Sequence, residues 1–176
     1  TRVALGDDVT ALPFLTPDGE LTITLPLAGL YNAYNALAAA AGALALGLPR
    51  EAIAAALDGF AAAFGRQERF SVDGRDVQVL LGKNPTGLNQ VLRTIAHSER
   101  PPRADDRLRI LFFLNDGIAD GRDVSWIWDV DYETVQPRME WTLAAGTRAE
   151  DLALRLKYAG FGDDVPVERE TAAALQ

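Results

Sequence analysis

The sequence predicts an α/β protein in two parts: an alanine-rich helical pair behind a β-hairpin, then a doubly wound α/β region. Three observations carry this reading. Leu21, Ile23 and Leu25 alternate with Thr22 and Thr24, as in a half-buried strand. The stretch YNAYNALAAAAGALALG is dominated by Ala and Leu, which lose little entropy on becoming helical. In the later part, strand-like and helix-like segments alternate, and Ile110-Leu111-Phe112-Phe113-Leu114 is continuously apolar, like a parallel strand covered on both faces.

The chain has 176 residues, 48% hydrophobic and 24% charged, enough for one or two packed domains. A formal net charge of -8 argues against a general nucleic-acid binder, which needs a basic face to displace counterions from phosphates. With no cysteine, disulfides and thiolate metal sites are excluded, and the cytoplasm is the default compartment. Neither a signal-peptide pattern nor an uninterrupted membrane-length apolar run occurs, so a soluble protein is expected. A start at Thr1 rather than Met points to missing upstream sequence.

Residues 8–27 read as two strands around the turn Pro17-Asp18-Gly19. A helix begins at Gly29 and stops near Gly47. Pro49 suits the first turn of a second helix, with Ile53, Leu57 and Phe60 as its apolar stripe. Gly65-Arg66-Gln67-Glu68-Arg69 is a polar break, so the domains are placed at residues 1–68 and 69–176. Val77–Leu81 is a strand leading into Gly82-Lys83-Asn84-Pro85-Thr86-Gly87 and a helix from about Leu88 to Ser98. After the polar loop RPPRADDR and the strand ending at Leu114 comes a Gly- and Asp-rich loop. Trp126-Ile127-Trp128 is expected to be extended, and Trp141-Thr142-Leu143 to be a further strand. Thr147 with Glu150 resembles a capping box for a helix through Tyr158, closed by Gly160. The chain ends at Gln176 within a helical pattern, so a last strand is expected beyond it.

Ligands of open α/β sheets sit beyond the carboxyl ends of strands, which directs attention to the loops after Leu81 and Leu114. The first offers Lys83, the amides of Asn84 and Asn89, and helix N-terminal N–H groups, suited to an anion or nucleotide. The same residues equally make turn chemistry and a helix cap. The second holds Asp116, Asp120, Asp123, Asp129, Asp131 and Glu133 beside two tryptophans and one arginine. Such density can bind a metal, orient a histidine or solvate a turn, but its spacing fails the helix–loop–helix calcium pattern. Asn32 and Asn35 are three residues apart on one helix face, facing a ligand or cross-linking neighbours. Arg66 fits a phosphate clamp or a surface position between domains. His97, the only histidine, reads as a solvated helix-end residue, and no serine or cysteine nucleophile motif accompanies it. Glutamine-hydrolysing chemistry would therefore need a partner.

LAGLYNAYNALAAAAGALALGLPREAIAAAL followed by FGRQERF resembles the end of the central domain of the Mur ligases, where a Gly-x-x-Asn-x-x-Asn-Ala helix precedes a Gly-Arg-x-Glu segment. LLGKNPTGLNQVL is similar to the opening of their Rossmann-like C-terminal domain. Lys83 ahead of Asn-Pro, and DGRDVSWIWDVDYE downstream, are closer to the MurT-type subunits than to the amino-acid-adding ligases. The resemblance covers almost the whole chain. It implies an ATP- and magnesium-dependent amide ligase subunit in peptidoglycan biosynthesis, paired with a GatD-like glutamine amidotransferase and acting on lipid II. By that resemblance Asn32, Asn35 and Arg66 lie toward the nucleotide, and Lys83, Asn84 and Thr86 line the interdomain cleft. An aspartate of the Trp-rich loop, Asp129 first and Asp123 next, would complete the partner's Cys–His pair.

The sequence departs from the family in three ways. It has no G-x-x-x-x-G-K-[ST] phosphate loop and no four-cysteine zinc insertion, and Leu80 stands where many Mur ligases carry an aspartate. As it stands the chain is not expected to catalyse ligation alone. A non-catalytic α/β docking module and another Mur or folylpolyglutamate-type ligase are the alternative readings.

Overall fold

In the first part of the chain, β1 (Ala4–Leu5), β2 (Thr10–Thr16) and β3 (Gly19–Leu25) form an antiparallel sheet in that order. This computed structural model describes residues 4–5, 10–17, 19–60, 66–97 and 107–176. Asp18, Gly65, Ser98 and most of the RPPRADDR loop lie outside the described residues. The β2–β3 register runs from Thr10↔Leu25 to Thr16↔Gly19. Leu21, Ile23 and Leu25 are buried while Thr22 and Thr24 are exposed, the alternation the sequence shows. On this face pack α1 (Leu30–Ala45) and α2 (Arg50–Asp58), which contribute Ala33, Ala36, Ala40 and Ile53 to the core. Phe60 lies past the end of α2 and is half exposed, so the apolar stripe is shorter than expected.

The polar break at residues 65–69 becomes a strand from Arg66 onward. β4 (Arg66–Val72) pairs antiparallel with β5 (Arg75–Leu80) across Asp73-Gly74. Both turn residues have positive φ, 49° and 74°, as a two-residue hairpin turn matching the strand twist requires. The compact units divide after Leu81, into Thr1–Leu81 and Gly82–Gln176, and residue 68 falls within β4. Among the described residues no helix is long and apolar enough to cross a membrane.

In the second unit, α3 (Pro85–Ala96) starts with Pro85 in its first turn and Asn84 as N-cap, earlier than the Leu88 expected. β6 (Leu108–Phe113), β7 (Met139–Ala145) and β8 (Val167–Glu168) form a parallel sheet in that order. α4 (Ala149–Tyr158) joins β7 to β8, and α5 (Thr171–Ala174) follows. This is the α/β alternation foreseen, with two corrections. β5 belongs to the antiparallel hairpin and not to this sheet, and β6 is only partly covered, with Phe113 41% exposed.

The Trp-rich segment is not extended. It folds into three successive 3-10 turns, Ser125–Asp129, Tyr132–Thr134 and Gln136–Arg138. Ile127, Val130, Tyr132 and Val135 turn inward and join Leu92, Ala144, Leu152 and Leu156 in one core. Phe112 meets Tyr132 edge-on at 5.4 Å between ring centroids, locking the segment over the sheet.

Candidate functional site

The carboxyl ends of β6 and β7 come together at Gly146. Its φ is 99°, and a Cβ there would lie 2.5 Å from the Leu114 carbonyl oxygen, so only glycine lets the two loops approach. Thr147 Oγ1 donates to Asp116 Oδ1 (2.8 Å) and accepts from the Asp116 N–H (3.2 Å). The expected capping box is therefore absent. Arg148 occupies the N-cap of α4 without a side-chain cap, and Glu150 pairs with Arg169 instead (2.7 Å).

Arg148 bridges the strand ends, pairing with Asp151 at 2.7 Å and Asp116 at 3.6 Å. Its hydrogen bond to Arg148 holds the Asp151 carboxyl below the usual range. Beside this bridge lies a cleft of about 380 Å³, walled by Arg122, Asp123, Ser125, Trp128, Arg148 and Asp151 over Val124 and Ile127. Asp123 Oδ1 accepts from the Ser125 N–H at 2.8 Å. Hydrogen bonds from the Ser125 side chain and backbone lower its pKa, so at neutral pH Asp123 presents a carboxylate with acceptor capacity to spare.

Two devices hold the Trp segment in place. The first is Asn89 on α3, whose Oδ1 accepts from the Asp131 N–H (2.7 Å) and whose Nδ2 donates to the Asp129 carbonyl (3.2 Å). Arg93 adds an exposed ion pair with Asp131 at 3.3 Å. The second is Arg155 on α4, only 6% exposed. Its Nη2 donates to the Val130 carbonyl (2.6 Å) and pairs with Glu133 (3.0 Å). Its guanidinium also lies 5.8 Å from the Trp128 ring centroid and 5.3 Å from that of Tyr132. Burial pushes the Tyr132 phenol up, the Arg155 cation partly opposing, so the ring stays protonated. Trp128 remains 49% exposed and packs against Tyr158, the ring centroids 5.6 Å apart and the planes tilted by 59°, an aromatic pair on the outer surface.

The other expected site residues are distributed as follows. Asp129 is exposed at the end of the first 3-10 turn and is not among the residues that wall the cleft. Lys83 is exposed, and its Nζ lies 3.4 Å from the Ala119 carbonyl, joining the two polar loops. Asn84 Oδ1 caps α3 through the Gly87 N–H (2.7 Å), so the helix-cap reading holds for that atom. Thr86 is exposed. In the first unit Asn32 is buried and donates to the Ala28 carbonyl (2.7 Å), whereas Asn35 is exposed. Three residues turn a helix by about 60° short of a full circle, enough to send the two amides to different surroundings. Arg66 begins β4. His97 is exposed, its Nδ1 2.8 Å from the Arg93 carbonyl, as a helix-end residue would be.

Sequence reasoning passed over Arg155, Arg148, Gly146 and the clamping role of Asn89. One signal was available: Arg155 shares the helix face of Leu152, Leu156 and Ala159, and a charge inside an apolar stripe marks a paired, buried cation. Among the described residues no three His, Asp or Glu side chains gather as a metal site.

Residues 81–176 match the family model described as MurT ligase C-terminal. The chain is 37% identical over 164 residues to the lipid II isoglutaminyl synthase (glutamine-hydrolyzing) subunit MurT of Staphylococcus aureus strain COL, covering 93% of this chain and 36% of that protein. The corresponding Streptococcus pneumoniae R6 subunit is 36% identical over 151 residues, covering 84% of this chain and 31% of that one. The chain thus spans about a third of the length of the curated relatives it matches. In fold it is similar to MurF from Acinetobacter baumannii (TM-score 0.75, 23% identity, 99% of this chain and 36% of that one). The same holds for Mycobacterium tuberculosis folylpolyglutamate synthase (TM-score 0.69, 22% identity, 99% and 39%).

Proposed function

Because the chain belongs to the MurT ligase C-terminal family, we propose that it is the carboxyl-terminal part of the ligase subunit of a lipid II isoglutaminyl synthase. The whole protein would work in the cytoplasm with a GatD-like glutamine amidotransferase and convert the D-glutamate α-carboxyl of lipid II to the amide. The substrate carboxylate attacks the terminal phosphorus of ATP and ADP leaves, forming an acyl phosphate. Ammonia from glutamine then adds to the acyl carbon, loses a proton and expels phosphate. On this reading the helix that carries Asn32 and Asn35, with Arg66, contributes to the nucleotide subsite, and Lys83, Asn84 and Thr86 contribute further ligand-binding groups. Lys83, exposed and cationic, fits a phosphate or carboxylate partner. None of the described residues is assigned to magnesium, which would come with ATP.

This chain's contribution to ammonia release is an aspartate. With no cysteine and one exposed histidine it supplies no thiol nucleophile, but it does supply carboxylates on a firmly held segment. A carboxylate accepting Nδ1–H fixes the tautomer of a catalytic histidine and stabilises its cation. The observation that carries the reading is the clamping of the Asp129–Asp131 backbone by Asn89 and Arg155, together with the Ser125 N–H bond to the Asp123 carboxylate, which limits the freedom of the segment. Of the two candidates, both exposed, Asp123 is favoured by its place in the cleft wall, which Asp129 does not share. Supplying this group across an interface would tie glutamine hydrolysis to assembly of the complex.

The test is reconstitution. The full-length subunit, co-purified with its glutaminase, is expected to amidate lipid II only when ATP and glutamine are both present. Amidation without ATP, or none with every component present, would overturn the assignment.

A further inference from the structure

Gln67 has a backbone φ of 61°, left-handed space that side chains bearing a Cβ rarely enter. It also interrupts the β4–β5 ladder: Arg66 pairs with Leu80 and Glu68 with Val79, leaving Gln67 as the extra residue of a bulge. Its carboxamide makes up for the lost pairing elsewhere. Oε1 accepts from the Ala28 N–H at 3.0 Å, and Nε2 donates to the Ala28 carbonyl at 2.9 Å. Those two bonds to one residue reproduce what a neighbouring strand would provide. Nε2 also reaches the Tyr31 phenol oxygen at 3.0 Å. The Ala28 carbonyl accepts in turn from Asn32 Nδ2 at 2.7 Å, so the Gln67 and Asn32 amides share one acceptor just ahead of α1.

We propose that Gln67 is a positioning residue of the nucleotide subsite: its amide, clamped on the Ala28 peptide, fixes the bulge that carries Arg66 against the start of the helix that carries Asn32. The inference rests on the nucleotide reading of Asn32 and Arg66 given above. Bulges re-aim the side chains beside them, and residues in disfavoured backbone conformations persist where the surroundings hold them for a purpose. The chemistry at position 67 is narrow. Glutamate would set a carboxylate against the Ala28 carbonyl, asparagine is one methylene too short, and methionine has the length without either bond.

The test uses the full-length subunit in complex with its glutaminase, carrying Gln67→Glu, Gln67→Met or Tyr31→Phe. Binding of a non-hydrolysable ATP analogue, KM for ATP, kcat and Tm are measured for each. Losing a charge-opposed or neutral clamp is expected to raise Kd and KM for ATP by about tenfold in Gln67→Glu and about fivefold in Gln67→Met. Tyr31→Phe, which keeps the Ala28 pair, is expected to cost about twofold, and kcat at saturating ATP to stay within about twofold throughout. A fallen Tm with unchanged nucleotide affinity would reduce Gln67 to a structural clip and overturn the proposal. Should Gln67→Glu fail to fold, Gln67→Met and Tyr31→Phe decide by the same criterion. A wild-type complex that does not bind the analogue would instead overturn the nucleotide reading itself.

Discussion

Arg155 draws together a carbonyl, a carboxylate and two aromatic faces, so its loss removes one of the two donors to the Val130 carbonyl, the partner of Glu133 and the cation beside the Trp128 and Tyr132 rings. Arg155→Met is expected to destabilise the second unit by about 2–4 kcal/mol, read as a lowered urea midpoint, with a change in Trp128 fluorescence. Lysine should recover little, since it cannot span the same partners with one point charge. A loss below about 0.5 kcal/mol would mean that the segment is held by packing alone. Gly146→Ala is expected to cost about 2–4 kcal/mol, because a methyl group would meet the Leu114 carbonyl in a backbone conformation already unfavourable to alanine. At this scale the sequence reveals residue types better than partners. The Asn84 cap was readable from Asn-Pro, because the N–H that donates to it lies three residues along. The Arg155 partners lie 22 and 25 residues away, and no local pattern ties them together.

Among the elements, the Trp-rich segment shows why a run of bulky residues can mislead. Trp126-Ile127-Trp128 has the composition of a strand, yet the apolar residues that matter, Ile127 and Val130, repeat every third position, the period of a 3-10 turn. The β4–β5 hairpin was missed despite Asp73-Gly74 between alternating apolar residues, because the polar cluster at residues 65–69 reads first as a linker. By contrast β3 was legible in detail, since one buried face imposes strict alternation. The link between α3 and the Trp segment gives an element-scale expectation. Asn89→Ala should speed hydrogen exchange of the Asp131 amide by about tenfold while leaving global stability lowered by only about 1 kcal/mol. Unchanged exchange would show that Arg93 and Arg155 suffice to hold the segment.

For the molecule as a whole, two compact units with separate cores mean that stability changes in one should be read in that unit. Asp151 and Glu150 have pKa values lowered chiefly by hydrogen bonds from Arg148 and Arg169. Groups whose folded pKa is depressed stabilise the fold above their ordinary values, 3.8 and 4.5, and that contribution is lost as pH falls through the lower folded values. Thermal midpoints measured from about pH 6 down to about pH 3 should therefore fall less steeply in Asp151→Asn and Glu150→Gln than in the wild type. The fold class and family were legible because periodicity and the Asn-Pro and Trp-Ile-Trp-Asp strings are local. Which carboxylate walls the cleft was not, because that depends on the approach of β6 and β7. The role proposed for these carboxylates is to orient the partner's histidine. Glutamine hydrolysis by the reconstituted full-length complex carrying Asp123→Asn or Asp129→Asn tests it most directly. One of the two substitutions is expected to lower kcat by about a hundredfold or more while the complex still assembles. Wild-type hydrolysis in both assembled variants would contradict it.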